Sequence, residues 1–131
     1  MGGFILDKLF IGVAVDIIPG SDPNSINLCS IGAVPVAILG SDSFDVIDID
    51  PDSLRLAEAD VKMVGKKDPQ TFCSVEDVNG DFFDDLVCHY INQDIAALDG
   101  LSTSAEVNGQ LFDDTPIKGT DSVNIVKDTC N

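Results

Sequence analysis

The densest chemistry in the chain is a run of oxygen side chains, Asp77-Val78-Asn79-Gly80-Asp81-Phe82-Phe83-Asp84-Asp85. Counting from Asp77, side-chain oxygens fall at positions one, three, five and nine, from Asp77, Asn79, Asp81 and Asp85, and Phe83 offers a backbone carbonyl at position seven. A hard cation such as calcium takes six to eight oxygens at about 2.3 to 2.6 Å, and this spacing converges the donors on one point. Three carboxylates so close together repel one another unless a positive charge sits among them. The expected cofactor is Ca2+, held by Asp77, Asn79, Asp81, Phe83 and Asp85; the competing reading is a solvated acidic hairpin loop.

Other groups carry less chemistry. The stretch Asp42, Asp45, Asp48, Asp50, Asp52 has irregular intervals, is interrupted by Val46, Ile47 and Ile49, and ends at Pro51, so a solvated edge strand is expected there and not a metal site. His89 is the single histidine; strand alternation sets it on the face of Val87 and Ile91, as a hydrogen-bonded structural residue. Cys29, Cys73, Cys88 and Cys130 lack the close thiolate pairs of structural zinc. An even count in a small acidic chain favours two disulfides over buried free thiols, with all three pairings open. The sequence has no Gly-x-Ser-x-Gly elbow, phosphate loop or HExxH, and no enzyme activity is expected.

These groups need a scaffold. Seven basic against 23 acidic residues leave a net charge of −16 over 131 residues, which disfavours nucleic acid and anionic membrane surfaces and favours cations. An apolar fraction of 44% is too high for a disordered acidic tail, and the length suits one domain with a sizeable core. Phe4 to Ile18 is apolar but broken by Asp7, Lys8 and Asp16, so membrane insertion is not expected, and it makes a poor signal peptide. The expected reading is a mature or trimmed chain from an oxidising compartment.

Segments rich in Val, Ile and Phe recur between turn clusters, the rhythm of an all-β, antiparallel β-sandwich-like single domain with long turn-rich loops. Strands are predicted at Gly12 to Ile18, Ser25 to Cys29, Val34 to Leu39, Ser53 to Leu56, Thr71 to Val75, Asp84 to Ile91, Leu101 to Asn108 and Ser122 to Val126. Turns are predicted at clusters that include Pro19 to Asn24, Gly65 to Pro69, Asn108-Gly109 and Lys118-Gly119. Asn92 to Leu98 has room for one helical turn, and Asp45 to Ile49 reads as strand or bulge. The domain proper spans 12–131, behind an apolar arm at 1–11.

The calcium loop resembles those of dockerin and integrin-propeller type; the EF-hand is excluded because its position twelve is Cys88 here. More widely, Asp16-Ile17-Ile18-Pro19-Gly20-Ser21-Asp22-Pro23-Asn24-Ser25-Ile26-Asn27, Gly32-Ala33-Val34-Pro35-Val36-Ala37-Ile38-Leu39-Gly40, Glu76-Asp77-Val78-Asn79-Gly80-Asp81 with Asp85-Leu86-Val87 and His89, and Gly119-Thr120-Asp121-Ser122-Val123 resemble a module common in secreted bacterial and archaeal surface proteins. The likeness runs from about Val13 to Val126. It implies an extracellular sandwich-like domain with a calcium loop and implies no catalysis. Two residues depart from the pattern: Ile18 replaces a usual lysine, and Phe82 the usual glycine at loop position six.

The expected function is therefore a non-enzymatic extracellular or cell-surface structural or adhesive module stabilised by calcium. Gly3-Phe4-Ile5-Leu6-Asp7-Lys8-Leu9-Phe10 has no place in the module, and an extended apolar strand templates pairing with another chain. Two readings stay open for this segment: an ordinary first strand or amphipathic turn that covers the core of its own domain, or self-association through Gly3–Phe10 by docking on a neighbouring copy, which head to tail gives a filament or layer. Other surface proteins or glycans are further expected partners. The alternative function is a carbohydrate-binding accessory module, for which exposed aromatic platforms are scarce: no tryptophan, one tyrosine and seven phenylalanines.

Overall fold

Alternating and continuous apolar runs give strands throughout, and the computed structural model, which describes residues 9–127 and 129–130, is an all-β domain. Its elements are β1 (Ile11–Gly12), β2 (Ala14–Ile17), β3 (Ser25–Asn27), β4 (Ala33–Leu39), β5 (Arg55–Leu56), β6 (Ala59–Asp60), β7 (Met63–Val64), β8 (Gln70–Thr71), β9 (Cys73–Glu76), β10 (Asp85–Ile91), β11 (Ser104–Gln110), β12 (Pro116–Ser122) and β13 (Asn124–Lys127). One sheet runs β1-β12-β11-β5-β6, a second β2-β4-β10-β9, and two-stranded ribbons join β13 to β3 and β7 to β8.

The two main sheets share a strand. β1 lies parallel to β12, with Ile11 opposite Ile117, and one residue later the chain continues as β2, antiparallel to β4. Val13 between them donates its amide to the Lys118 carbonyl. Ile11, assigned to the arm on sequence, thus belongs to the sheet. Pairing is otherwise antiparallel, as expected, apart from β13, which lies parallel to β3.

The core fills the space between the sheets. Val34, Val36 and Ile38 of β4 and Leu86, Cys88 and Tyr90 of β10 pack with Ile17, Leu56, Val107 and Ile117 in one cluster. β4 and β10 are covered on both faces, since Ala37 and Val87 are buried too. At about 1.5 to 3 kcal/mol for each large apolar side chain buried, this cluster is the main source of stability.

Two glycine-containing dipeptides read as turns lie inside strands. Asn108-Gly109 sits within β11 and Lys118-Gly119 within β12, a seven-residue strand the sequence reading missed. The reason is close approach. A Cβ on Gly119 would overlap the Val13 carbonyl oxygen and press on the Val15 side chain, so glycine is what lets the shared strand lie against β12. The turn between β11 and β12 falls instead at Asp113 and Asp114, where Asp114 takes φ 72°.

The remaining differences are local. Asp45 to Ile49 is neither strand nor bulge but a 3-10 turn at Val46–Asp48, capped by the Asp45 carboxylate on the Ile47 amide. Asp50 caps a second at Pro51–Ser53, so this acidic stretch is a pair of capped turns and not an edge strand. Asn92–Asp94 forms the single helical turn expected there. The cysteines pair as Cys29–Cys130 and Cys73–Cys88, the latter directly opposed across β9 and β10 with Cα atoms 4.1 Å apart. Of the arm Gly3–Phe10, only Leu9 and Phe10 fall among the described residues; both are largely exposed, and Lys118 Nζ lies 4.8 Å from the Phe10 ring centroid.

Candidate metal site

The acidic run links β9 to β10, and its shape follows from the short side chains of Asp and Asn, which bond to backbone amides a few residues ahead. Asp77 Oδ1 accepts from the amides of Gly80 (2.9 Å) and Asp81 (3.3 Å), and its Oδ2 from Phe82 (3.0 Å). Asn79 Oδ1 accepts weakly from Asp81 at 3.4 Å, and Asp81 Oδ1 accepts from Phe83 at 3.0 Å. The loop is wound around its own oxygens. Carboxylate oxygens of Asp77, Asp81 and Asp85 come within 4.8 Å of one another, a trio that can hold a metal ion.

Asp85 anchors this arrangement. Its side chain is fully buried, and its two oxygens accept from Gly40 (2.9 Å) at the end of β4 and from Val78 (2.9 Å) at the start of the loop. One carboxylate thereby ties the loop to the middle of the second sheet. Gly40 is required where it stands, because a Cβ there would collide with the Asp84 carbonyl oxygen.

Electrostatics fits a cation-seeking loop. Desolvation pushes the Asp77 carboxyl upward, but backbone amides of Phe82, Gly80, Asp81 and Asn79 outweigh it and hold the pKa below the ordinary carboxylate value. Asp77 and Asp81 are exposed and open to an ion from solvent, whereas Asp85 is not. Of the five expected ligands, the three aspartates are brought together. Asn79 lies beside Asp81, and Phe83 is positioned through its amide, with its side chain 40% exposed.

Phe82 explains one departure from the resembled pattern. It takes φ 69°, a left-handed conformation that glycine adopts without penalty, and its side chain is 95% exposed. Ile18 takes φ 52°, which is rarer still for a β-branched residue, and its amide is held by the Pro35 carbonyl at 2.8 Å.

Two other sequence motifs meet at the opposite end of the shared strand. Asp121 Oδ2 accepts from the Ile17 amide (2.9 Å) and from Asn24 Nδ2 (3.0 Å), while Asn24 also donates to the Ser122 carbonyl. The Gly119–Val123 motif thus pins the Pro19–Asn24 turn. Burial, and next the nearby charge of Asp121, raise the pKa of Asp16. His89 lies on the face expected for it, stacked on Phe72 with ring centroids 4.1 Å apart. Sequence reasoning missed this partner, because the Phe72–His89 pairing depends on strand register.

Two of the surface grooves carry charged and aromatic side chains, and one of them borders the loop. One, of about 630 Å³, is lined by residues including Asp50, Asp52, Arg55, Asp60, Gln70 and Phe112. The other, of about 510 Å³, lies between the Ser41–Asp48 turns and Phe82, Phe83 and Asp84. Comparison of the chain with protein-family models, curated proteins and solved structures finds no match.

Proposed function

We propose that the chain is a non-enzymatic extracellular structural module whose acidic loop binds calcium and which associates with further copies of itself through its N-terminal arm. The observation that carries this reading is the convergence of Asp77, Asp81 and Asp85 within 4.8 Å in a loop already wound to present oxygen. Calcium suits it better than zinc, because every donor is a hard oxygen. Two disulfides suggest an oxidising, extracellular environment, where free calcium is abundant. Leu9 and Phe10, the described residues of the arm, are 62% and 48% exposed and leave apolar surface for a partner.

The test is a thermal melt of chelated protein with added calcium. An ion that binds the folded loop alone stabilises by mass action, by about 2.7 kcal/mol at a hundredfold excess over Kd. Asp81→Ala should abolish the gain. An unchanged melting temperature of the native chain at millimolar calcium would remove the metal from the proposal.

Carbohydrate binding keeps one observation in its favour: Phe112, 66% exposed, stands in the larger groove beside Asp52, Arg55 and Gln70. Glycan-array binding lost on Phe112→Ala would establish it.

A further inference from the structure

The seven basic residues are unevenly spread, with Lys62, Lys66 and Lys67 inside one six-residue stretch. Arg55 is paired with Asp60, Lys118 approaches Glu106, and Lys62 lies over the Phe72 ring. Lys66 and Lys67 are exposed at the tip of the β7–β8 ribbon, and among the described residues neither makes an ion pair. The ribbon is tied at its base to β10, where the Lys62 amide donates to the His89 carbonyl (2.8 Å) and the His89 amide to that of Phe72 (3.0 Å), and it carries Met63 (51% exposed) and Val64 (39%) below its tip. The tip of this finger holds two lysines beside the one exposed carboxylate of Asp68, a net positive end above apolar sides.

The groove beside the acidic loop is its complement. Asp42, Asp45, Asp48 and Asp84 are all exposed there, together with Phe82 and Phe83, and among the described residues none of the four carboxylates is ion-paired. An ammonium group in this groove finds carboxylates for its charge and aromatic faces for its methylene stem. No ion pair joins the two surfaces within one chain, among the described residues, so the finger does not reach its own groove.

We propose that the Lys66-Lys67 finger of one copy docks in the Asp42/Asp45/Asp48/Asp84/Phe82 groove of a second copy, a heterologous contact that leaves each copy with a free finger or a free groove for the next. The argument for a second copy as occupant is charge complementarity. In a chain of net charge −16, copies repel one another over most of their surface, so an exposed, unpaired lysine pair and a groove of four unpaired carboxylates flanked by phenylalanines form a complementary pair of patches. A contact that joins different patches extends into a filament unless its rotation closes a ring. This inference rests on the self-association proposed above and adds a second contact to it.

The experiment is sedimentation velocity of the full-length chain in chelator at low and high salt, for the native sequence and three variants. The first is Lys66→Glu with Lys67→Glu. The second is Asp42→Lys with Asp84→Lys, which spares Asp45 because it caps a turn. The third lacks residues 1–10. Native protein should assemble, and should do so less as salt rises, since charges are screened beyond about 10 Å at 0.1 M. Either reversed variant alone should assemble at least roughly tenfold more weakly, and an equimolar mixture of the two should recover hetero-association, because the native finger of the groove variant meets the native groove of the finger variant, and at the other contact the swapped charges face opposite signs. Far-ultraviolet circular dichroism and melting temperatures confirm that each variant is folded. Assembly that is unaffected by charge reversal but lost without residues 1–10 would overturn the finger-and-groove contact and leave the arm reading standing. A native chain that stays monomeric at every concentration would overturn both.

Discussion

Replacing Asp85 separates its work as an anchor from any work as a metal ligand. Its side chain is fully buried, and both oxygens accept backbone amides, from Gly40 and Val78, at 2.9 Å each. Hydrogen bonds to a charged group contribute about 1.5 to 3 kcal/mol each, and truncation to alanine strands two N–H groups that the surrounding backbone holds in place. Asp85→Ala should therefore cost about 3 to 5 kcal/mol, a large part of the roughly 5 to 15 kcal/mol that holds a domain folded. For a chain of this length the melting temperature should fall by roughly 11 to 18 °C. Asp85→Asn should lie in between, because its oxygen keeps one amide while its NH2 faces the other donor. The melts are run in chelator so that no metal contributes. Asp81→Ala, with an exposed side chain and one bond to the Phe83 amide, should cost about 1 kcal/mol or less under the same conditions. An Asp85→Ala protein that melts within about 1 kcal/mol of the native chain, or no lower than Asp81→Ala, would refute the anchoring argument.

Two further predictions concern packing and protonation. Gly119→Ala should destabilise by about 2 kcal/mol or more in urea titrations, because the new Cβ meets the Val13 backbone, and Lys118→Ala next to it should cost far less. Carboxyl titrations by NMR should place Asp77 below and Asp16 above the ordinary aspartate value of 3.8. The signs are opposite: stability contributed by Asp77 is present above its unfolded pKa and lost as pH falls through its lower folded pKa, whereas the charged Asp16 opposes folding until pH falls through its raised value. Asp121→Asn should bring the Asp16 midpoint down without restoring it to 3.8, since burial remains; an unmoved midpoint would exclude the Coulombic contribution.

The strands with strong local signals were legible. Val34 to Leu39 and Asp84 to Ile91 match β4 and β10 to within a residue, because buried central strands are continuous apolar runs. β12 was not legible. Its residues Pro116 to Ser122 include Lys118-Gly119, which carries turn chemistry locally, and only the arrival of Val13 from more than a hundred residues away makes glycine a strand residue there. The two-residue strands β6 and β7 were missed because strands so short hold no period. At the acidic loop, ligand spacing found Asp77, Asp81 and Asp85, since short-range Asx bonding is encoded in the same residues. The Gly40 and Val78 bonds of Asp85 were out of reach, as they depend on how β4 and β10 register. The lysine finger and the acidic groove are likewise separated along the chain, and their complementarity emerges from exposure in three dimensions.

The Cys29–Cys130 bridge has a mechanical consequence. A pull on the chain from beyond residue 130 passes through the disulfide into Cys29, so everything between the two cysteines lies outside the line of tension. Among the described residues, only the segment from Leu9 to Cys29 then bears load. At 3.3 to 3.6 Å per residue its roughly 20 residues can lengthen to at most about 70 Å, where the open chain would reach roughly 400 Å. β1 and β2, the edge strands of the two main sheets, and β3 would peel away first, while the remaining strands, the acidic loop and the lysine finger lie outside the line of tension. The oxidised chain is thus a short-throw tether, and reducing one bond multiplies its extensibility about sixfold.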